Sequence, residues 1–333
     1  MTAPAGGTGG DRQRWRPSAL RRLTSSRRSP VTAFVLAGGG SRGAVQVGML
    51  SELVARGIRA DRVYGASVGA VNGAAYCGDP TPTGMEELRR IWLSLSGEKI
   101  FPRRIAEGPW TYFQQRPAVH SNAGLRRIVE EGVRFPRLED ATIPLEVVAT
   151  SLTDGRECWL TEGPTVEAVL ASAAIPAMFP PVAIGDDLLM DGGVVNNVPI
   201  SRAIQGGATR IYVLLCGPLH YKPRPARRPV EAVLTAFFVA VHARFARERA
   251  SLPEGIELVV FSGGGDPAAD YRDFSATKEL IAAGRREVGE VLDGASRTGG
   301  EPTLGELVTQ MRPPVVSGRR GRPSRPAAGM SST

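Results

Sequence analysis

The stretch FVLAGGGSRGAVQVG at residues 34–48 decides the fold, because it places three consecutive glycines between two apolar segments. The segment before the glycines, VTAFVLA, is a short apolar run of the kind found in buried strands, and residues 43–56 after them have the character of a helix. A strand that passes through a glycine turn into a helix is the repeating unit of parallel α/β proteins. We therefore expect an α/β sheet that is built outward from this turn.

The glycine turn itself fits two incompatible motifs. Gly38, Gly40 and Gly43 match the dinucleotide fingerprint G-x-G-x-x-G, whereas Gly39, Ser41 and Gly43 match the hydrolase elbow G-x-S-x-G. The first motif would hold a nucleotide phosphate, and the second would present a nucleophilic serine. The choice between them depends on the rest of the chain.

Outward from this turn, short apolar runs alternate with helix-like segments. This alternation predicts an α/β fold with a central, mostly parallel sheet flanked by helices on both faces, in three layers. Two runs that flank Asp154-Gly155 depart from the alternation and predict a hairpin, in which Asp154 is a turn residue. The later strand-like runs are RVYGAS, LEVVATSL, RIYVLLC and IELVVF.

The charge of the chain is concentrated at its two ends. The net charge is +8, but residues 1–30 carry +6 and residues 312–333 carry +5, so the middle of the chain is weakly acidic at −3. This distribution argues against nucleic acid as a partner and predicts one globular domain at 31–311 between disordered basic tails at 1–30 and 312–333. The tails are expected either to contact an anionic membrane surface or to be solvated without function.

Three observations bear on the location of the protein. No continuous apolar region follows the first arginines, so we expect no secretory signal. The longest apolar run, AVLTAFFVAV at 232–241, is about half the roughly 20 residues that a membrane-spanning helix needs. The cysteines Cys77, Cys158 and Cys216 lack metal-binding or redox spacing, which is typical of buried thiols in a reducing compartment. The expected location is the cytoplasm, with peripheral contact at the inner membrane face as a further possibility.

Two segments have a structural and a functional interpretation. Residues 97–120 are aromatic and interrupted by prolines, which favours an inserted loop over a lid or an acyl-chain contact surface. Residues 230–245 predict a helix that packs on the core, with membrane docking as the second interpretation. Its predicted core face comprises Val230, Val233, Leu234, Phe237, Phe238, Val241 and Phe245.

A second hydrolase elbow occurs at Gly65, Ser67 and Gly69. Ser67 directly follows the apolar run RVYGA and precedes a helix of small residues, which is the context that a nucleophile elbow requires. Ser41 fits less well, because three glycines separate it from its strand. These observations predict Ser67 as the nucleophile.

The glycine turn suits a different task in the same reaction. Acyl transfer develops an oxyanion, and backbone N–H groups of a glycine loop at a helix start can stabilise it. We therefore predict that Gly38, Gly39 and Gly40 form an oxyanion hole. Arg42 and Gly43 complete this motif, and a structural role for Arg42 is favoured over binding of a lipid phosphate.

Two residues compete for the role of the base that activates the serine. His220 follows the strand RIYVLLC, approximately where a Ser-Asp-His hydrolase places its histidine. Asp191 ends a short apolar run and precedes Gly192 and Gly193 in LLMDGGVVNNVPI, where a simple hairpin turn is the structural alternative. The residues alone leave this choice open.

Taken in order, four motifs resemble the bacterial patatin-like phospholipases. They are GGGSRG at 38–43, GASVG at 65–69, ASAAIPAMFPP at 171–181 and DGG at 191–193, and the resemblance extends from about residue 31 to about residue 265. It implies a serine lipid acyl hydrolase in which Ser67 is the nucleophile and Asp191 the base, without a histidine, metal or organic cofactor. The implied partner is a lipid or other acyl ester. The family often has DGA where this chain has DGG, a change that keeps the carboxylate.

Two other functions are weighed against a hydrolase. A dinucleotide-binding oxidoreductase would need an acidic residue at the end of the strand after the glycine turn, but that strand ends in Gly65-Ala66-Ser67, and Asp61 lies at its beginning. A catalytically silent membrane-surface or regulatory protein could share the fold, although Ser67 and Asp191 are both intact. Hydrolase function is therefore preferred.

Overall fold

The strand that precedes the glycine turn, β1 (Thr32–Leu36), lies near the middle of an eight-stranded sheet. The computed structural model describes residues 30–101, 118–220, 222, 225, 229–265 and 273–297. The predicted tails and most of the 97–120 segment fall outside these residues, so their interpretations stay predictions. The other strands are β2 (Arg62–Ala66), β3 (Leu145–Ser151), β4 (Glu157–Leu160), β5 (Val182–Ile184), β6 (Asp187–Asp191), β7 (Arg210–Leu214) and β8 (Glu257–Phe261).

Helices connect the strands and cover the sheet. Short 3-10 turns occur at Gly40–Gly43 and Leu138–Asp140. The α-helices are α1 (Ala44–Ala55), α2 (Val68–Gly78), α3 (Pro82–Leu93), α4 (Gly97–Ile100), α5 (Ala123–Gly132), α6 (Thr165–Ser172), α7 (Gly193–Asn196), α8 (Ile200–Gln205), α9 (Pro229–Ala250) and α10 (Thr277–Arg297).

The sheet is mostly parallel, as predicted. Its strand order is β5-β6-β3-β2-β1-β7-β8, and the five strands from β3 to β8 in this order run parallel. At one edge, β4 and β6 both pair antiparallel with β3, and β5 pairs antiparallel with β6. The loop between β3 and β4 contains Asp154, whose carboxylate accepts the N–H of Arg156, and Gly155 at a φ of 73°. Asp154 is therefore a turn residue, as predicted.

The two faces of the sheet have separate apolar cores, which confirms the three-layer prediction. In β1, Phe34 and Leu36 point to the core that contains residues of α1, α2, α3, α5, α6 and α10. Ala33 and Val35 point to the opposite core, which contains residues of α8 and α9. This alternation follows from the pleat of a strand that is buried on both sides.

The prediction of the core face of residues 230–245, which lie in helix α9, was wrong in part. Phe238, Val241 and Phe245 are buried as predicted, but Val233 is 70% exposed and Phe237 is half-buried. Apolar residues occur on every side of this helix, so the sequence pattern did not define which face packs on the core. The side chains of Val230 and Leu234 lie outside the described residues.

Helices α1 and α10 cross so closely that glycine is required at the crossing. A Cβ at Gly284 would overlap the carbonyl oxygen of Val45, and a Cβ at Gly48 would overlap that of Ile281. We expect Gly284→Ala to lower the free energy of unfolding by about 2 kcal/mol or more, because backbone on both helices must move. Urea denaturation measures this change.

A matched control lies on the same helix. A Cβ at Gly294 of α10 would meet nothing within 4 Å. Gly294→Ala should therefore stabilise the protein by up to about 1 kcal/mol through helix propensity. Equal effects of the two substitutions would contradict the close crossing.

Candidate active site

Ser67 occupies a sharp turn between β2 and α2. Its φ is 53° and its ψ is −125°, a backbone conformation that costs a serine about 1–3 kcal/mol. The turn is possible because the residues two before and two after Ser67 are glycines: a Cβ at Gly65 would lie 2.7 Å from the Cα of Ala70, and a Cβ at Gly69 would overlap the carbonyl oxygen of Leu36. The geometry is that of a nucleophile elbow.

The sheet brings Asp191 to this turn from a distant part of the sequence. Ala66, the last residue of β2, pairs with Val148 of β3, and Asp191, the last residue of β6, pairs with Ala149. Because β4 occupies the other edge of β3 at both positions, β2 and β6 share one edge and approach each other by their carboxyl ends. This arrangement places Ser67 and Asp191 side by side.

The two side chains are in direct contact. Ser67 Oγ donates a hydrogen bond to Asp191 Oδ2 at 2.5 Å, and the residues are 5% and 3% exposed. The backbone N–H of Gly193 donates to the other carboxylate oxygen, Oδ1, at 2.7 Å. Gly192 and Gly193 lead into α7, so Asp191 does not form the hairpin turn that was the structural alternative.

Burial raises the pKa of Asp191 to about 6. The hydrogen bonds from Ser67 and Gly193 act in the opposite direction, since they favour the ionised carboxylate. At neutral pH the group is therefore ionised, but it retains a proton affinity well above that of an ordinary aspartate. A carboxylate with these properties can accept a proton from a serine hydroxyl.

Within the part of the chain that the structure describes, no histidine hydrogen-bonds to Ser67 or Asp191. His220 lies at an exposed position in the loop after β7. The two ring nitrogens of His242 lie 2.8 Å and 3.3 Å from the carbonyl oxygens of Phe238 and Pro218. The geometry gives the serine a carboxylate partner and no imidazole partner among these residues.

Two residues that the sequence analysis gave no role hold the pair in place. The hydroxyl of Ser172 accepts the N–H of Ser67 at 2.9 Å, while its carbonyl accepts the N–H of Gly192 at 3.1 Å. Thr150 donates its hydroxyl to the carbonyl of Asp191 at 2.7 Å. The sequence signal that could have identified Ser172 was its place in the ASAAIPAMFPP motif. Thr150 had no such signal, because it is one polar residue in an apolar run. Both residues are buried.

The glycine turn lies against Ser67. A Cβ at Gly38 would lie 3.0 Å from the Cβ of Ser67, and a Cβ at Gly39 would overlap the side chain of Cys216. Gly40 has a φ of 56°. Gly38 donates its N–H to the carbonyl of Asn197 at 3.4 Å, while the N–H groups of Gly39 and Gly40 have no hydrogen-bond partner among the described residues.

A buried network of polar side chains holds the glycine turn in place. Asn72 donates to the carbonyl of Gly43 and to Gln46 Oε1, and it accepts the indole N–H of Trp92 at 2.8 Å. Gln46 in turn donates to the carbonyl oxygens of Ala37 and Leu214 at the ends of β1 and β7. The turn is therefore tied to two strands and three helices.

The remaining residues of the glycine motif have structural contacts. Arg42 is half-buried and donates its backbone N–H to the carbonyl of Gly39. Hydrogen bonds from Ser275 lower the pKa of Asp273, and the charge of Arg42 adds to this effect. A Cβ at Gly43 would overlap Val68, so this glycine permits α1 and α2 to begin side by side.

Two apolar cavities meet at Ser67. The first, which we call the α5 cavity, has a volume of about 540 Å³ including its mouth, and the second, the α9 cavity, about 690 Å³. Gly40, Ser41, Ser67 and Ile175 line both. The α5 cavity is otherwise lined mainly by apolar side chains, among them Val71, Trp92, Leu95, Ile100, Phe101, Leu125, Ile128, Phe179 and Phe274. Asp191, Asn197, Val233, Phe237 and Phe238 line the α9 cavity.

The structure also places three residues that bear on the sequence predictions. Phe101, at the described end of the 97–120 segment, lines the α5 cavity. Ser41, the rival elbow serine, is 4% exposed and lines both cavities, but no hydrogen bond joins its hydroxyl to a carboxylate or imidazole of the described residues. Asp61 lies at the amino end of β2, where it accepts the N–H of Thr32.

Among the described residues, no cluster of three or more His, Cys, Asp or Glu side chains could hold a metal ion. Within the same ranges, no helix combines the length and the apolar character that a membrane span requires.

Comparison with known proteins gives a family match and several relatives. Residues 34–204 match the family model described as "Patatin-like phospholipase", which confirms the resemblance predicted from the motifs. The chain is 31% identical over 191 residues to an uncharacterised NTE family protein of Mycobacterium tuberculosis, covering 56% of this chain and 48% of that protein. It is 28% identical over 204 residues to patatin-like phospholipase domain-containing protein 6 of Mus musculus, covering 61% of this chain and 15% of that protein.

Solved structures to which the chain was matched include VipD from Legionella pneumophila, with a TM-score of 0.43 at 15% identity over 80% of this chain and 67% of that chain. Another is human GIVD cytosolic phospholipase A2, with a TM-score of 0.42 at 12% identity over 81% of this chain and 58% of that chain. The alignments reach only 48% and 15% of the length of the two sequence relatives described above.

Proposed function

This chain belongs to the patatin-like phospholipase family, and from that premise we propose that it is a serine acyl hydrolase that cleaves lipid esters with Ser67 and Asp191 as a catalytic dyad. The observation that carries the proposal is the 2.5 Å hydrogen bond between the buried Ser67 hydroxyl and the Asp191 carboxylate. It occurs at a strained turn where two apolar cavities meet.

The proposed reaction has two halves. In the first, Asp191 accepts the Ser67 proton as Oγ attacks the acyl carbonyl, and it then gives that proton to the departing alcohol, which leaves an acyl-enzyme. In the second, Asp191 accepts a proton from water as the water attacks the acyl-enzyme, and the proton returns to Ser67 when the acid leaves. The residues in contact are sufficient for both halves.

The oxyanion is proposed to bind at the glycine turn. Gly39 and Gly40 supply the donors best suited to this role, since the N–H of Gly38 is directed to Asn197. The polar network of Asn72 and Gln46 fixes these donors before the reaction begins. Preorganised donors of this kind contribute about 3–4 kcal/mol each to lowering the barrier.

The lining of the cavities supports a lipid substrate. The side chains that line the α5 cavity away from Ser67 are almost all apolar, which suits an acyl chain. The α9 cavity, on the side of Asp191, would then receive the alcohol part of the ester. This orientation places the scissile bond between the two cavities.

The purified protein tests the proposal with a short-chain p-nitrophenyl ester and with phospholipid and lysophospholipid micelles. We expect hydrolysis and an initial burst of p-nitrophenol equal to the enzyme concentration when deacylation is slow. His220→Ala should retain the rate, since His220 is exposed and makes no hydrogen bond to Ser67 or Asp191. Inactivity of the folded protein toward every ester would favour a silent regulatory protein, and loss of activity in His220→Ala would favour a triad.

The rate should depend on the ionisation of Asp191. With a pKa of about 6 for this carboxyl, kcat/KM for the soluble ester should be constant near pH 8 and fall about tenfold per pH unit well below pH 6, because the protonated group cannot accept the serine proton. A stopped-time assay between pH 4.5 and 8.5 measures the profile. A rate that stays constant down to pH 4.5 would contradict Asp191 as the base.

A further inference from the structure

Helix α9 has a second apolar face that is turned to solvent. Between Ala232 and Ala243 the helix contains no Asp, Glu, Lys or Arg. Phe238, Val241 and Phe245 on its inner face are buried, whereas the residues about 180° around the helix are exposed. We call these residues the α9 outer face: Ala232, Val233, Ala236, Val239, Ala240 and Ala243.

The α9 outer face is continuous with the route to Ser67. Val233 is 70% exposed and also lines the α9 cavity. The neighbouring Phe237 lines the same cavity and reaches the turn after Asp191, since a Cβ at Gly193 would lie 3.2 Å from its ring. An apolar molecule that leaves this face at Val233 therefore enters a cavity that is also lined by Phe237, Phe238 and Ser67, which is itself only 5% exposed.

The helix is held so that this face stays outward. Arg244 donates to Glu157 at 2.6 Å and to Glu248 at 2.9 Å, and it also donates to the carbonyl of Val195 in α7. Arg244 thus joins α9 to both β4 and the segment that follows Asp191. Val233 and Phe237 have a fixed position relative to the dyad as a result.

We propose that the α9 outer face docks on the surface of a lipid bilayer or micelle and that the acyl ester enters the α9 cavity past Val233. This inference rests on the proposed function in one respect, that the substrate is a lipid. The exposed Arg247 follows on the same side of the helix, which is the usual position of a cation beside an apolar interfacial face.

The size of the face favours a lipid surface over a second copy of the chain. A helical segment of 12 residues is about 18 Å long and about 10 Å wide, so its outer face covers roughly 180 Å². A stable protein interface buries about 800 Å² on each partner. A lipid surface needs no such complementary area, because an apolar helix face can be buried at the boundary between the headgroups and the acyl chains.

The test is co-sedimentation of the full chain with phosphatidylcholine vesicles in about 0.5 M NaCl, where attraction between the basic tails and the vesicles is screened. The variant Ala236→Glu/Val239→Glu places two charges on the α9 outer face and leaves the cavity lining intact. The control Ala282→Glu introduces the same residue at an exposed alanine of α10. Hydrolysis of a soluble p-nitrophenyl ester and the molecular mass in solution are measured for each protein.

The double variant should lose vesicle binding by about tenfold or more while its hydrolysis of the soluble ester matches wild type, and Ala282→Glu should behave as wild type in both assays. Unchanged vesicle binding by the double variant would overturn the proposal. So would a wild-type dimer that the double variant converts to a monomer without loss of vesicle binding. Vesicle binding that depends on the α9 outer face in a protein inactive on every ester would contradict the proposed function and leave the docking surface supported.

Discussion

Replacing Ser67 with alanine should lower kcat for a p-nitrophenyl ester by about 10⁴-fold or more, because the hydroxyl that forms the acyl-enzyme is removed. The substitution is a clean one, since alanine keeps a Cβ and must adopt the same backbone conformation at a φ of 53°. Circular dichroism and the thermal midpoint check that the variant folds. An alkyl fluorophosphonate should add covalently to wild type and not to Ser67→Ala, as measured by intact mass.

Ser41→Ala is the comparison that the sequence itself supplies, since Ser41 also lies in a G-x-S-x-G motif. It lines both cavities, so a change of up to about tenfold in KM is compatible with the proposal. A fluorophosphonate adduct on Ser41, or a greater loss of kcat in Ser41→Ala than in Ser67→Ala, would transfer the nucleophile to the glycine turn.

Replacing Asp191 with asparagine should remove activity and stabilise the fold. The rate should fall by about 10³-fold or more, because an amide cannot accept the serine proton. Stability should increase because burial raises the pKa of Asp191 from 3.8 to about 6, so ionisation costs the folded state about 3 kcal/mol. The amide can still accept from Gly193 and donate to Ser67.

The pH dependence of this stability difference has a definite sign. Below pH 3.8 the carboxyl is protonated in both the folded and the unfolded chain, so ionisation of Asp191 does not destabilise wild type. As the pH rises to about 6, the unfolded chain ionises first and wild type loses stability; above that pH the loss is complete and constant. The advantage of Asp191→Asn should therefore be largest above pH 6 and decrease toward pH 4.

Urea denaturation at several pH values measures this difference, and Asp154→Asn provides the matched control. Asp154 is an exposed turn residue whose pKa is lowered by the backbone N–H of Arg156, so its amide variant should keep full activity and gain no stability. An Asp191→Asn protein that is less stable than wild type at pH 8 would contradict the buried, ionised carboxylate.

Local patterns in the sequence were sufficient for the fold and for most of the motif residues. The alternation of apolar runs with helical segments predicted the parallel sheet, because strands that are buried on both faces must be apolar throughout. The elbow around Ser67 was recognisable because Gly65 and Gly69 occupy positions where a side chain would collide with backbone, and such steric requirements act over a few residues.

Local patterns could not predict which face of α9 is buried. Apolar residues occur on all sides of the helix between residues 232 and 243, so periodicity could not separate the inner face of Phe238 from the outer face of Val239. Contacts with the rest of the fold decide which of them is buried. Val233 was assigned to the core on spacing alone and lies largely in solvent.

For the site as well, local sequence predicted the residue types, and the tertiary structure decided which of them are in contact. Residue types and short spacings in the sequence indicated a nucleophilic serine, a glycine turn and a candidate aspartate, since each depends on its immediate neighbours. The pairing of Ser67 with Asp191 across 124 residues arose from the tertiary structure, in which β2 and β6 meet end to end along one edge of β3. Strand pairing and burial are properties of the folded chain that no local pattern encodes, and burial also raises the pKa of that carboxylate.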